Sequence, residues 1–149
     1  MDKQMTEVEQ IEYFLFEDGL VSGERYKERA RFWESKGLWH SGYTPVKQQV
    51  YLKVMLYKGE DDNLEKTLLS LEQILPHLRP VDGIKEFGVF EYTLSENGVY
   101  CVEVKEGVYS LVVYRYHRKS VLKVFDSLRE LLKYVQENHY YESSEDNDY

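Results

Sequence analysis

Between Phe87 and Asn138 the chain alternates apolar and polar residues, and two glycine-containing pairs, Asn97-Gly98 and Glu106-Gly107, interrupt the alternation. Alternation broken by such pairs is the strongest local signal of antiparallel hairpins, because glycine enters the left-handed backbone region that tight turns need. No other stretch limits the fold as strongly. It reads as strand, turn, strand, turn, strand, loop, strand and helix.

Register follows from the pattern, since a slip of one residue turns every side chain to the opposite face. With Glu106-Gly107 as a two-residue turn, Val104 faces Tyr109, Val102 faces Leu111, and Tyr100 faces Val113, all on one side. For the first turn, a three-residue loop Glu96-Asn97-Gly98 sets Leu94, Tyr92 and Phe90 opposite Tyr100, Val102 and Val104. A four-residue loop, His117-Arg118-Lys119-Ser120, then brings Val124 beside Val113. Asp126 or Ser127 caps a last helix whose Leu128, Leu131, Leu132 and Val135 form a stripe to cover the apolar side of the sheet.

The second face of that sheet is the more informative one. It is expected to carry Val89, Glu91, Cys101, Glu103, Val112, Tyr114 and Lys123, with Glu91 directly opposite Glu103. Like charges in cross-strand positions repel. Either solvent and nearby lysines dilute the repulsion, or the pair awaits a cation or a partner's basic group. Glu91, Glu103, Tyr114 and Val112 are therefore the candidate partner-binding residues.

Upstream, Thr6-Glu7-Val8-Glu9 fits a capping box ahead of a helix with Val8, Ile11, Phe14 and Leu15 as its apolar stripe. Ser22 is placed to cap a second helix, locally basic through Arg25, Lys27, Arg29 and Arg31, running to Lys36 with Gly37 as its stop. Leu38 to Pro45 reads as a loop holding two aromatics. A strand follows from Val50 to Tyr57, then a helix striped by Leu64, Leu68, Leu71 and Leu75 and ended by Pro76 and Pro80. The expected fold class is α+β: an N-terminal helical hairpin, one strand and helix, then a four-stranded antiparallel meander covered by a C-terminal helix. A single domain over residues 1–139 precedes an acidic tail over 140–149, whose carboxylates and serines cannot bury enough surface to order it.

With 149 residues the chain can bury a substantial core, and its 14 tyrosines are an unusual share. The net charge of −8 argues against a protein that wraps duplex DNA, which needs clustered cations. A single cysteine, Cys101, excludes an internal disulfide and a thiolate metal site. No apolar run is long enough to span a membrane and the N-terminus lacks a signal-peptide pattern, so no membrane partner and a cytoplasmic location are expected. Phosphate loops, dinucleotide fingerprints, nucleophile elbows and paired zinc-type histidines are missing, and His40, His77, His117 and His139 are scattered. No catalytic residue, cofactor or metal ligand is assigned.

Two resemblances qualify that result. Val102-Glu103-Val104-Lys105 on a strand, with Glu91 on its neighbour and Asp82 further back, resembles the ExK element of the PD-(D/E)xK nucleases. In that family acidic side chains on adjacent strands hold a divalent metal and the lysine steadies the attacking water. Here the Glu106-Gly107 turn leads into another strand where the family has a helix. The acidic tail ending in Tyr149 is similar to the tails of single-stranded-DNA-binding proteins. A basic and aromatic cluster, Arg115, Tyr116, His117, Arg118 and Lys119, has the residue types of a single-strand groove, charge for the backbone and rings for the bases. The reading the sequence favours is a non-enzymatic protein-binding module, of the small regulatory, inhibitory or immunity type found in bacteria or viruses. A single-stranded nucleic-acid-binding protein is the alternative, and a metal-dependent nuclease the third.

Overall fold

In the computed structural model the described residues are 5–17, 21–44, 49–57, 59–89 and 98–138. Glu91, the Glu96-Asn97 part of the first turn, His139 and the acidic tail lie outside them. Helices α1 (Glu7–Leu15) and α2 (Glu24–Glu34) lead into strands β1 (Leu38–Thr44) and β2 (Gln49–Val54). Helix α3 (Asp61–Ile74) and a 3-10 turn (Leu75–His77) connect these to β3 (Lys85–Val89), β4 (Val99–Lys105), β5 (Val108–Arg115) and β6 (Arg118–Phe125). Helix α4 (Leu128–Asn138) ends the described fold.

The strands make one sheet in sequence order, β1 to β6, antiparallel except where β2 and β3 run parallel. The α+β class is as expected; among the described residues the sheet has six strands, where one strand and a four-stranded meander were predicted. Hairpin β1–β2 supplies the extension, and β1 replaces the predicted loop from Leu38. Its pairing carries a register shift between His40 and Gly42, an irregularity that obscures the strand alternation in the sequence.

The β4–β5 register agrees with the sequence reading: Val104 pairs with Tyr109, Val102 with Leu111, and Tyr100 with Val113. Glu106 and Gly107 both take positive φ, 50° and 79°, as a two-residue primed turn requires. The other two turns differ from expectation. Tyr116 and His117 also have positive φ, 50° and 65°, so the β5–β6 connection is a two-residue turn, and Arg118, Lys119 and Ser120 belong to β6. Ser120 consequently stands opposite Val113, and Val124 opposite Ser110.

Between β3 and β4 the correction is larger. Phe87 pairs with Val102 and Gly88 with Cys101, five positions from the predicted register. An odd slip exchanges the faces. Val89 therefore joins the core, and Glu86, rather than Glu91, is the residue opposite Glu103. Lys123 also changes side: it lies across from Leu111, with Nζ 4.9 Å from the centre of the Tyr134 ring.

One continuous core joins the sheet residues Leu38, Leu52, Val54, Phe87, Tyr100, Val102, Leu111 and Val113 to buried residues of all four helices. Helix α4 contributes the anticipated Leu128, Leu131, Leu132 and Val135, and Ser127 Oγ accepts from the Glu130 N–H at 3.3 Å. The Thr6–Glu9 capping box of α1 is reciprocal. Helix α2 starts behind Gly23 with no side-chain cap, so Ser22 does not perform the role expected of it.

Buried His40 ties the N-terminal helices to β1. Its Nδ1 accepts the Gly42 N–H at 3.0 Å, which leaves Nε2 to donate to the Leu15 carbonyl at 2.8 Å. The ring stacks on Trp33 of α2 at 5.0 Å and 3°. Burial pushes the His40 pKa down to about 4, and the nearby Arg29 acts in the same direction. Below the ordinary imidazole value of 6.5 the unfolded chain takes up a proton that the folded ring refuses, so stability must fall with falling pH. The expected loss from this group between pH 6.5 and 4 is on the order of 3 kcal/mol. Urea melts across that interval, with the His40 ring followed by NMR, check it; a ring titrating near 6.5 would show that α1 is not docked as described.

Candidate functional site

The face of the sheet turned away from the main core gathers Glu86 and Gly88 from β3, Cys101 and Glu103 from β4, Val112 and Tyr114 from β5, and Lys119 from β6. The Tyr114 hydroxyl lies 3.0 Å from Glu86 Oε2 and 3.3 Å from Glu103 Oε2. Lys119 Nζ donates to both Glu103 oxygens, at 3.2 and 3.1 Å. A phenol carries one proton and can donate it to one carboxylate at a time. Lysine neutralises Glu103, so the hydroxyl is best spent on Glu86, whose carboxylate has no cation beside it among the described residues.

Glu86, Gly88, Cys101, Glu103 and Tyr114 border a cavity of about 310 Å³. It lies beside the β2–β3 seam, where, among the described residues, Lys53 and Val54 pair with Gly88 and Val89. Phe16, Leu78 and Phe87 give it apolar wall; Asp82, Glu86 and Glu103 give it three carboxylates against the single cation Arg79. Asp82 has a positive φ of 53° in the tight Val81–Ile84 turn, bridged in both directions by backbone hydrogen bonds. Burial, then the charge and hydrogen bond of Glu86, push the Tyr114 phenol well above its ordinary value, so it remains a proton donor at every physiological pH.

Of the four predicted partner-binding residues, Glu103 and Tyr114 do meet here. Val112 shares their face but is completely buried, which leaves it a packing role and nothing a partner could touch. Glu91 lies outside the described residues, and Glu86 occupies the place opposite Glu103 that it was expected to fill. Glu86 was legible in principle: Lys85-Glu86-Phe87-Gly88-Val89 continues the alternation upstream with Phe87 and Val89 facing inward.

The second predicted surface is only partly brought together. Tyr116, 81% exposed, and His117 form the tip of the β5–β6 hairpin, with Arg115 and Arg118 paired at its base. Arg115 donates to the Tyr100 hydroxyl at 3.3 Å, and Lys119 is held by Glu103. For the nuclease-like element, Lys105 is exposed beside the β4–β5 turn and pairs with Val108. Among the described residues no group of three or more His, Cys, Asp or Glu side chains is arranged to hold a metal ion, and no helix is long and apolar enough to cross a membrane. Comparison with protein-family models, with curated proteins and with solved structures gave no match.

The raised phenol carries a pH signature. Stability from the neutral hydroxyl is fully present below the ordinary tyrosine value of 10.0 and lost as pH rises beyond it. Tyr114→Phe should cost about 1 kcal/mol at pH 9, from the lost hydrogen bond to a carboxylate. The variant should then lose less further stability than the parent between pH 9 and 11. Parallel losses in paired urea melts would mean that Tyr114 is not held between the two glutamates.

Proposed function

We propose that the protein is a non-enzymatic binding module whose acidic cavity receives a basic side chain, most suitably an arginine, from a protein partner. The observation that carries this reading is the Glu86 carboxylate, exposed at a cavity that already holds Asp82 and Glu103, and met only by the neutral hydroxyl of Tyr114 among the described residues. A guanidinium would supply the missing charge and could bond two carboxylate oxygens in its own plane. The apolar wall of Phe16 and Leu78 suits the methylene stem behind such a head. A regulatory or inhibitory role fits this reading, and so does the want of a nucleophile–base pair in the sequence.

The single-stranded nucleic-acid reading has weaker support. Of its five residues, Arg115 and Lys119 are engaged within the molecule, leaving Tyr116, His117 and Arg118 at the hairpin tip. The nuclease reading has the least, since Glu103 pairs with Lys119 rather than with a set of acidic ligands.

Short peptides carrying one arginine, and the same peptides with citrulline in its place, separate charge recognition from shape. Calorimetric titration should give tighter binding for arginine by at least about tenfold, equivalent to roughly 1.4 kcal/mol. Glu86→Gln should abolish most of that preference while leaving the melting temperature close to that of the parent. An arginine preference that survives Glu86→Gln would remove the cavity from consideration.

A further inference from the structure

We infer that the free edge of β6 accepts an extended acidic segment of another protein as a seventh strand. Among the described residues β6 is last in the sheet and pairs with β5 alone. Arg115 and Arg118 close a two-residue turn and so form the hydrogen-bonded pair of the hairpin; alternation then directs the N–H and C=O of Lys119 and Val121 away from β5. Backbone groups presented in this way are a template for one more strand.

The side chains say which strand. Val121 and Val124 are each 56% exposed and stand on the same face as Tyr114 and Glu103, giving an added strand apolar neighbours to pack beside. Arg118, Lys119 and Lys123 are the only charged residues of β6, a basic strand in a chain of net charge −8. Arg118 has no ion-pair partner among the described residues. Acidic residues alternating with apolar ones would meet both features, since cross-strand opposite charges and apolar pairs each stabilise a sheet.

A second copy of this chain fits the edge poorly. Self-pairing would put the cations of two β6 strands along one seam, and the pairing with β5 shifts register around Leu111 and Val112, which leaves Leu122 as an extra residue that bends the strand. A flexible peptide can follow such a bend, whereas an identical folded edge would have to match it. This edge is distinct from the acidic cavity, whose chemistry is of opposite sign, and its test does not depend on that cavity.

The probe is a labelled, N-acetylated peptide of alternating glutamate and valine about eight residues long, the span of one strand. With the full chain, fluorescence anisotropy should show saturable binding that weakens between about 0.05 and 0.3 M salt. Arg118→Glu combined with Lys123→Glu, both at exposed positions, should weaken binding at least about tenfold. Bound peptide should slow amide exchange at Lys119 and Val121, which mere electrostatic adherence would leave unchanged. The proposal is overturned by equal binding of a lysine–valine peptide, by unchanged affinity in the doubly substituted chain, or by binding without protection of those two amides. Displacement of the peptide by a single-stranded oligonucleotide that binds more tightly would reassign the edge to nucleic acid. A peptide-free dimer in sedimentation velocity, abolished by Val121→Lys, would reassign it to a second copy.

Discussion

Among the described residues, two backbone pairs join the two parts of this sheet. Lys53 beside Gly88 and Val54 beside Val89 are the described contacts of the parallel seam, and through them the β1–β2 hairpin joins the β3–β6 meander. The strands crowd at Gly88: a Cβ there would lie 2.8 Å from Lys53 Cγ and 3.4 Å from the Leu52 carbonyl oxygen. Parallel strands need a long crossover, and α3 supplies it, burying Leu64, Leu68, Leu71 and Ile74 in the common core. It is held at its start and near its middle. Gly37 lies against Thr67, whose hydroxyl reaches the Gly37 carbonyl, while Gln136 of α4 donates to the carbonyls of Tyr57 and Glu60 just before α3 begins.

The candidate site lies where the β2–β3 ladder stops on the Glu86 side. Where the ladder between β2 and β3 is not continued, Glu86 and Glu103 face a cavity bounded by residues from the end of α1 and from the Leu78–Ile84 connection. Three carboxylates gathered there would oppose folding if each were left alone. Lysine on one side and a phenol between them offset most of that repulsion, and the remainder resides on Glu86.

How much of this could be read from sequence depended on whether glycine sat where the backbone needed it. Glu106-Gly107 marked its turn and fixed β4 against β5, since glycine carries the left-handed conformation at little cost. Tyr116-His117 adopts the same kind of turn without glycine or asparagine, and was invisible for that reason. Asn97-Gly98 drew the register of β3 to the wrong place: Phe87, and not Tyr92, stands opposite Val102. The error was odd in number, so it carried Glu91 into the site and Glu86 out of it. Glu103 and Tyr114 stayed legible because they belong to the β4–β5 pair, whose register was right. β1 was hidden by its irregularity at Gly42 and by an edge position that does not demand regular alternation.

The order of the strands sets an order of events in folding. Turns of two residues let β4, β5 and β6 zip from contacts close in sequence, each within the time of hairpin formation. Lys53 must find Gly88 across a loop of some 35 residues, a search whose entropy is spent before the seam returns anything. By sequence separation alone, the meander is expected to form before the first two strands attach to it. Until then β3 presents an open edge and α3 a bare apolar stripe, and it is in this interval that the protein is most exposed to misassociation.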